Sequence, residues 1–315
     1  MYADTTKIDD RPDETTEREP ESGLATARVV ANRYRLLREI SRGGMGILWL
    51  AADLELERHV AMKFMNFSRK PTAEDNRRFA LEARAEALLG QETEHVVKVL
   101  DHGLDAGRRY IIMEHLVGED LGQRLAREQR LTAEDLAPIV RQVASALRRA
   151  HRRRLIHRDI KPENIFLSRR DDEERVKIVD FGIVKALDTE SITISGKTIG
   201  TPAYMAPEQI HGQCVDHRTD LWGLGVVLYQ ALTGRLPWNC ESLHSIISGI
   251  FAGPIPPPSS FMPELSPEVD AFFARALARP LERRFQSVDD LAMTFSELAR
   301  VSFPPLSSFT QTSPS

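Results

Sequence analysis

The run His157-Arg158-Asp159-Ile160-Lys161-Pro162-Glu163-Asn164 constrains this chain more than any other feature. It is followed by Asp180-Phe181-Gly182 and then by Ala206-Pro207-Glu208. Each short match alone can arise by chance in 315 residues, but their order and spacing together carry weight. Asp159 can accept a hydroxyl proton, and five residues later Asn164 offers a neutral oxygen to a metal. A second carboxylate, Asp180, follows sixteen residues after that. An ion-paired surface loop would need charges, but it would not need this order.

The bulk numbers allow a large soluble core. Hydrophobic residues are 42% and charged residues 28%, ordinary for a globular protein. A net charge of −4 gives no reason to expect nucleic acid or an anionic membrane as the main partner. Two cysteines, Cys214 and Cys240, argue for a reducing compartment rather than a disulfide framework. The polar start Met1-Tyr2-Ala3-Asp4 lacks the apolar run of a signal peptide, and the apolar stretch near 221–232 is too short to span a bilayer. The expectation is a cytoplasmic protein with no membrane association.

Residues 4–21 hold eight Asp/Glu, three Lys/Arg and almost nothing apolar, so 1–32 reads as a disordered acidic segment. The Ser/Thr/Pro-rich stretch 301–315 reads as a flexible tail. Between them the pattern changes once. Up to about Leu116 short β-like runs dominate: Tyr34–Ile40, Ile47–Ala52, Val60–Phe64, Val96–Leu100 and Tyr110–Met113. One helix, Ala73–Leu89, interrupts them. After Gly118 the expectation is mainly helical: Ala133–Arg153, capped by Thr132 with Asp135, then Arg218–Leu232, Glu268–Ala278 and Val288–Leu298. The basic cluster Arg148, Arg149, Arg152, Arg153 and Arg154 reads as a solvated helix face.

Two further segments acquire meaning beside the first three. The stretch Ile40-Ser41-Arg42-Gly43-Gly44-Met45-Gly46-Ile47-Leu48 lies between predicted strands, and its glycines allow close backbone approach to phosphates. Val60-Ala61-Met62-Lys63 ends an apolar strand on a cation. Alone, the first is a hairpin and the second an edge charge. Together the five resemble the protein-kinase signature set, whose chemistry is phosphoryl transfer. Lys161 after Asp159, and Gly200-Thr201-Pro202-Ala203-Tyr204-Met205-Ala206-Pro207-Glu208, are similar to bacterial eukaryotic-like (Hanks-type) serine/threonine kinases in particular. The resemblance covers about Tyr34–Ala299.

That resemblance implies an α+β, two-lobed protein kinase fold. A small antiparallel-sheet N-lobe (33–113) with one main helix joins, through a hinge (114–118), a larger mostly helical C-lobe (119–300). It implies ATP, with Mg2+ or else Mn2+, as cofactor, and protein Ser/Thr hydroxyls as acceptors. It also implies self-association during trans-autophosphorylation. Asp159 would orient or deprotonate the hydroxyl, Lys161 would neutralise phosphate charge, and Asn164 and Asp180 would hold metal. Lys63 would bind the α/β-phosphates, held by Glu82; Glu86, one turn on, is a rival partner or a solvated charge. Ile40, Ser41, Gly43, Gly44, Gly46, Leu48 and Ala61 would cover the nucleotide. Met113 would close the rear of the pocket, Glu114 and Leu116 would meet the adenine edge, and Asp120 a ribose hydroxyl. Thr201 belongs to the substrate platform. Thr193, Ser195 and Thr198 are the expected phosphosites, read out by Arg158, and Arg284 would pair structurally with Glu208.

Ser41 departs from the family pattern, which has glycine there. The expectation is a positive-φ position where serine hinders the loop, with ordinary β geometry as the alternative. Two other readings stand beside an active kinase: a pseudokinase scaffold, and a small-molecule phosphotransferase of similar fold. The long segment from Asp180 to Glu208 argues against the second.

Overall fold

The computed structural model describes residues 26–43, 46–65, 72–170, 173–181, 202–238 and 240–301. The side chains of residues 73–76, 78, 82, 170 and 301 are outside that description.

The first lobe is a six-stranded antiparallel sheet. Its strands are β1 (Val29–Val30), β2 (Tyr34–Gly43), β3 (Gly46–Asp53), β4 (Arg58–Met65), β5 (Val99–Asp105) and β6 (Arg108–Glu114). The order across the sheet is β1-β2-β3-β4-β6-β5. Although β1 and β5 are opposite edges, Arg28 donates to Asp105 at 2.5 Å and Tyr34 Oη donates to Asp101 at 2.8 Å. The sheet therefore curls until its edges meet. Helix α1 (Ala73–Glu92) packs against β5. The boundary expected at Arg33 moves toward the N-terminus, because Val29 and Val30 pair with Arg35 and Tyr34 and Val30 is fully buried.

Strand alternation sorts the lobe into two apolar layers. On β4, Val60, Met62 and Phe64 face one cluster with Trp49, Tyr110 and Ile112. Ala61 and Met65 face the other, with Val99, Ile111, Met113 and Phe79 of α1. Lys63 lies between Ala61 and Met65 in this alternation and so shares their face.

The second lobe surrounds α5 (Arg218–Thr233), a helix buried nearly all round, as expected of a central core helix. Around it lie α2 (Leu121–Glu128), α3 (Ala133–Arg152), α4 (Pro207–Ile210), α6 (Leu243–Phe251), α7 (Pro267–Ala276) and α8 (Val288–Val301). The cap expected on α3 is a full capping box, with Thr132 Oγ1 accepting from Asp135 N at 3.1 Å. This mostly helical lobe also holds a three-stranded sheet for which the sequence gives no named strands: β7 (Gly118–Asp120), β8 (Ile165–Arg170) and β9 (Glu173–Ile178). Only the inner ends of β8 and β9 are apolar, through Ile165, Leu167, Val176 and Ile178, so their sequence pattern is weak. Of the basic cluster, Arg149, Arg152, Arg153 and Arg154 are exposed; Arg148 pairs with Asp289, and Arg153 with Glu92. Among the described residues no helix is long and apolar enough to cross a membrane.

Candidate active site

The catalytic-type loop is held from beneath by α5. Asp220 accepts from the main-chain nitrogens of His157 (3.0 Å) and Arg158 (2.8 Å) and from His151 Nε2 (2.8 Å). Gly223 lets Ile160 sit against the helix, since a Cβ there would stand 2.9 Å from the Ile160 carbonyl oxygen. Arg158 and Asp180 both adopt left-handed backbone, φ 64° and 58°, at a cost of order 1–3 kcal/mol each. Such strain persists only where the surroundings impose it, here around the loop that carries Asp159.

His157 links the two motif segments. Its Nδ1 accepts from Asp159 N at 3.3 Å, so Nε2 carries the proton that it donates to Val179 O at 3.0 Å. The ring is fully buried and meets Phe181 in a tilted contact, centroids 4.6 Å apart. Burial pushes its pKa below the ordinary histidine value, which keeps this neutral tautomer. Asn164 closes the arrangement. Its Nδ2 donates to Asp159 O at 2.7 Å and to Asp159 Oδ2 at 3.1 Å, and its main-chain carbonyl accepts from Val179 N at 3.0 Å. Lys161 Nζ lies 3.0 Å from Asp159 Oδ2.

From the opposite lobe, Lys63 Nζ reaches Asp180 Oδ1 at 2.6 Å. Asp159, Lys161, Asn164, Asp180 and Lys63 thus converge between the lobes. Asn164 spends its amide nitrogen on Asp159, so its Oδ1 is the side-chain atom not used on that residue. The donors Asn164 Oδ1 and Asp180 are hard oxygens, the set that a hard divalent cation prefers.

The nucleotide-side expectations divide. Leu48, Ala61, Met113 and Leu116 pack in one cluster with Val179. Leu48 pairs with Lys63 and Ala61 with Met113 across the strands, so strand register alone brings them together. Gly46 has φ 151°, and a Cβ there would stand 2.0 Å from Phe64 O, which explains the glycine. Gly43 pairs with Gly46 across the hairpin. Ile40 does not join them; it falls at a β-bulge and is 38% exposed. Ser41 corrects an expectation. It pairs with Leu48 in extended β2 and is absent from the positive-φ positions, so the serine meets no backbone strain.

Glu114 takes a role the sequence did not signal. Its carboxylate binds Lys177 Nζ at 2.6 Å and Lys98 N at 2.9 Å, tying the lobe connection to β9. Asp120 caps α2, accepting from Gln123 N at 2.8 Å, and burial raises its pKa. It lines a cavity of about 510 Å³ with Glu163, Tyr204 and Gln230. Gln209 Nε2 donates to Arg158 O at 2.8 Å, a further brace on the loop. Glu86 is 7% exposed, which removes the solvated-charge alternative. Glu82 lies on α1, with its side chain outside the described residues, and Gly44, Thr193, Ser195, Thr198 and Thr201 also lie outside them. Arg284 meets Glu208 as a buried pair at 3.0 Å.

Residues 34–295 match the family model described as the protein kinase domain. The chain is 40% identical over 280 residues to the serine/threonine-protein kinase Pkn1 of Myxococcus xanthus, covering 87% of this chain and 40% of that protein. It is 32% identical over 262 residues to the serine/threonine-protein kinase PrkC of Bacillus subtilis, covering 83% of this chain and 40% of that protein. The chain thus spans less than half the length of these relatives. Among solved structures, the Mycobacterium tuberculosis PknI kinase domain superposes with a TM-score of 0.70 at 28% identity, covering 88% of this chain and 100% of that one. The curled sheet lobe, the helical lobe and the residues gathered between them agree with these likenesses: the chain belongs to the bacterial Hanks-type serine/threonine protein kinases.

Proposed function

We propose that this chain transfers the γ-phosphoryl group of ATP to serine or threonine hydroxyls of proteins, with Mg2+ as the metal and Mn2+ as a substitute. The observation that carries the reading is the convergence of Lys63, Asp180, Asn164, Lys161 and Asp159 between the two lobes. Asp159 accepts the proton of the attacking hydroxyl. Asn164 Nδ2 fixes the orientation of its carboxylate. Lys161, already beside that carboxylate, supplies positive charge where charge develops on the transferred group. Lys63 positions the phosphates, with Glu82 as its partner on α1. A divalent ion held by Asn164 and Asp180 would neutralise phosphate oxygens when bound.

A pseudokinase scaffold is disfavoured, because the charged set is complete and Ser41 lies in ordinary strand geometry. We assign Thr193, Ser195 and Thr198 as phosphosites, with Arg158 as the cation that receives the phosphate. The test is purified protein with labelled ATP, Mg2+ and a generic basic protein, followed by phosphoamino-acid analysis and mass spectrometry of the enzyme. Label on Ser or Thr supports the reading. Phosphate on tyrosine, or none on any protein, would overturn it.

A further inference from the structure

The outer face of α1 carries a repeat that neither fold nor chemistry has used. Arg77, Leu81, Arg84, Leu88 and Gln91 are all exposed and recur at spacings of four, three, four and three. That spacing keeps the five on one face of the helix, a seam with two exposed leucines seven residues apart. It runs about 21 Å along the helix at 1.5 Å per residue. Leu81 is 56% and Leu88 52% exposed, while Phe79, Ala83 and Leu89 on the other side are buried. Neither Arg77 nor Arg84 has an ion-pair partner among the described residues.

We propose that this face docks the acidic segment of the same chain, residues 1–25. The alternation of arginine and leucine selects an occupant with carboxylates around an apolar side chain. It disfavours a second copy of the same face, which would set arginine against arginine. Residues 1–25 hold eight acidic and three basic side chains, a net of −5. Ile8 stands directly before Asp9 and Asp10.

The tether also fits. The chain enters the fold at Arg28, pinned to Asp105 at the β5–β6 turn, and β5 is the strand that α1 covers. Phe79 of α1 meets His102 of β5 edge-on at 6.1 Å. Twenty residues separate Ile8 from Arg28, a reach of up to about 66 Å at roughly 3.3 Å per residue. Tethering replaces a weak bimolecular contact by an effective concentration of order millimolar. The competing basic surface, Arg141, Arg149 and Arg152 on α3, is exposed as well but carries no leucine seam. α1 also carries Glu82, so an occupied seam would bias the Lys63 pair. That consequence rests on the kinase reading, whereas the docking does not.

The test uses the full chain with a photoreactive benzoyl-phenylalanine in place of Ile8 and maps the crosslinks by mass spectrometry. Crosslinks should fall within 77–91 and drop about tenfold in the double variant R77E/R84E. High salt should weaken them, since the charges are exposed. The variant D9K/D10K, which leaves the folded lobe untouched, should drop them equally, and R141E/R149E should not. Crosslinks to α3, crosslinks between two copies that vanish on dilution, or yields unchanged by both R77E/R84E and D9K/D10K would overturn the proposal. No readout depends on phosphotransfer, so its failure is distinct from failure of the kinase reading.

Discussion

Arg284→Met should destabilise the larger lobe more than most single substitutions. The guanidinium donates to Glu208 Oε1 at 3.0 Å and Oε2 at 3.3 Å, to Arg218 O at 2.9 Å and to Ala278 O at 3.1 Å. It also lies 4.9 Å over the Trp222 ring. Arg284 is 1% and Glu208 4% exposed, so neither charge has water to fall back on. Methionine keeps much of the side-chain length but leaves the Glu208 carboxylate buried with, among the described residues, only the Thr219 hydroxyl, at 2.8 Å. Breaking such a pair costs about 3–5 kcal/mol. At roughly 2–4 °C per kcal/mol for a domain of this size, the midpoint should fall by about 6–20 °C. The double variant Arg284→Met/Glu208→Met buries no charge and should recover most of the loss. Calorimetry on the four proteins of the cycle gives the coupling. A loss under about 1 kcal/mol for Arg284→Met, or a double variant worse than the sum of the singles, would refute the argument from buried charge.

The pH dependence of stability should carry the signature of His157. Its folded pKa lies below the ordinary value of about 6.5, chiefly through burial. The unfolded chain therefore takes up the proton first as pH falls below about 6.5. Stability is full above that value and declines below it until the folded pKa is passed. Melting curves across that window should flatten in His157→Phe, and an unchanged slope would count against the burial argument. Ser41→Gly should not tighten ATP binding. The position is extended, so the glycine adds about 0.5–1 kcal/mol of backbone entropy cost, and steady-state kinetics should show an equal or higher KM. Lys177→Met frees the Glu114 carboxylate and should raise the KM for ATP several-fold with little change in kcat. A fall in kcat alone would mean that the tether acts elsewhere.

Much of the site was legible because two strong patterns coincide. The period of two on β4 puts Lys63 on the Ala61–Met65 face, and the 157–164 run fixes Asp159 and Asn164 within one tight loop. The supports were less legible. Lys177 grips Glu114 across 63 positions, and Asp220 holds the loop nitrogens from a helix 62 positions on; no local spacing encodes either. The strands β7, β8 and β9 are short with charged outer ends, so their sequence carries too little apolar alternation to name them as strands. Glu86 could not be placed from sequence, because two carboxylates four apart share a helix face and only packing reveals that Glu86 is buried. Ser41 was misjudged because the motif suggests a flexible loop, whereas register with Leu48 carries β2 through it.

The central claim is that Asp159 orients and deprotonates the acceptor hydroxyl within a site that binds nucleotide independently of it. Asp159→Asn keeps the size of the side chain and the neighbouring Asn164 and Lys161 but removes the base. Phosphotransfer from labelled ATP should fall by about 10²–10⁴, the usual contribution of a positioned acid or base. Nucleotide affinity, measured by calorimetric titration of the same sample, should stay within about twofold. Equal turnover in the variant and the parent would contradict the account.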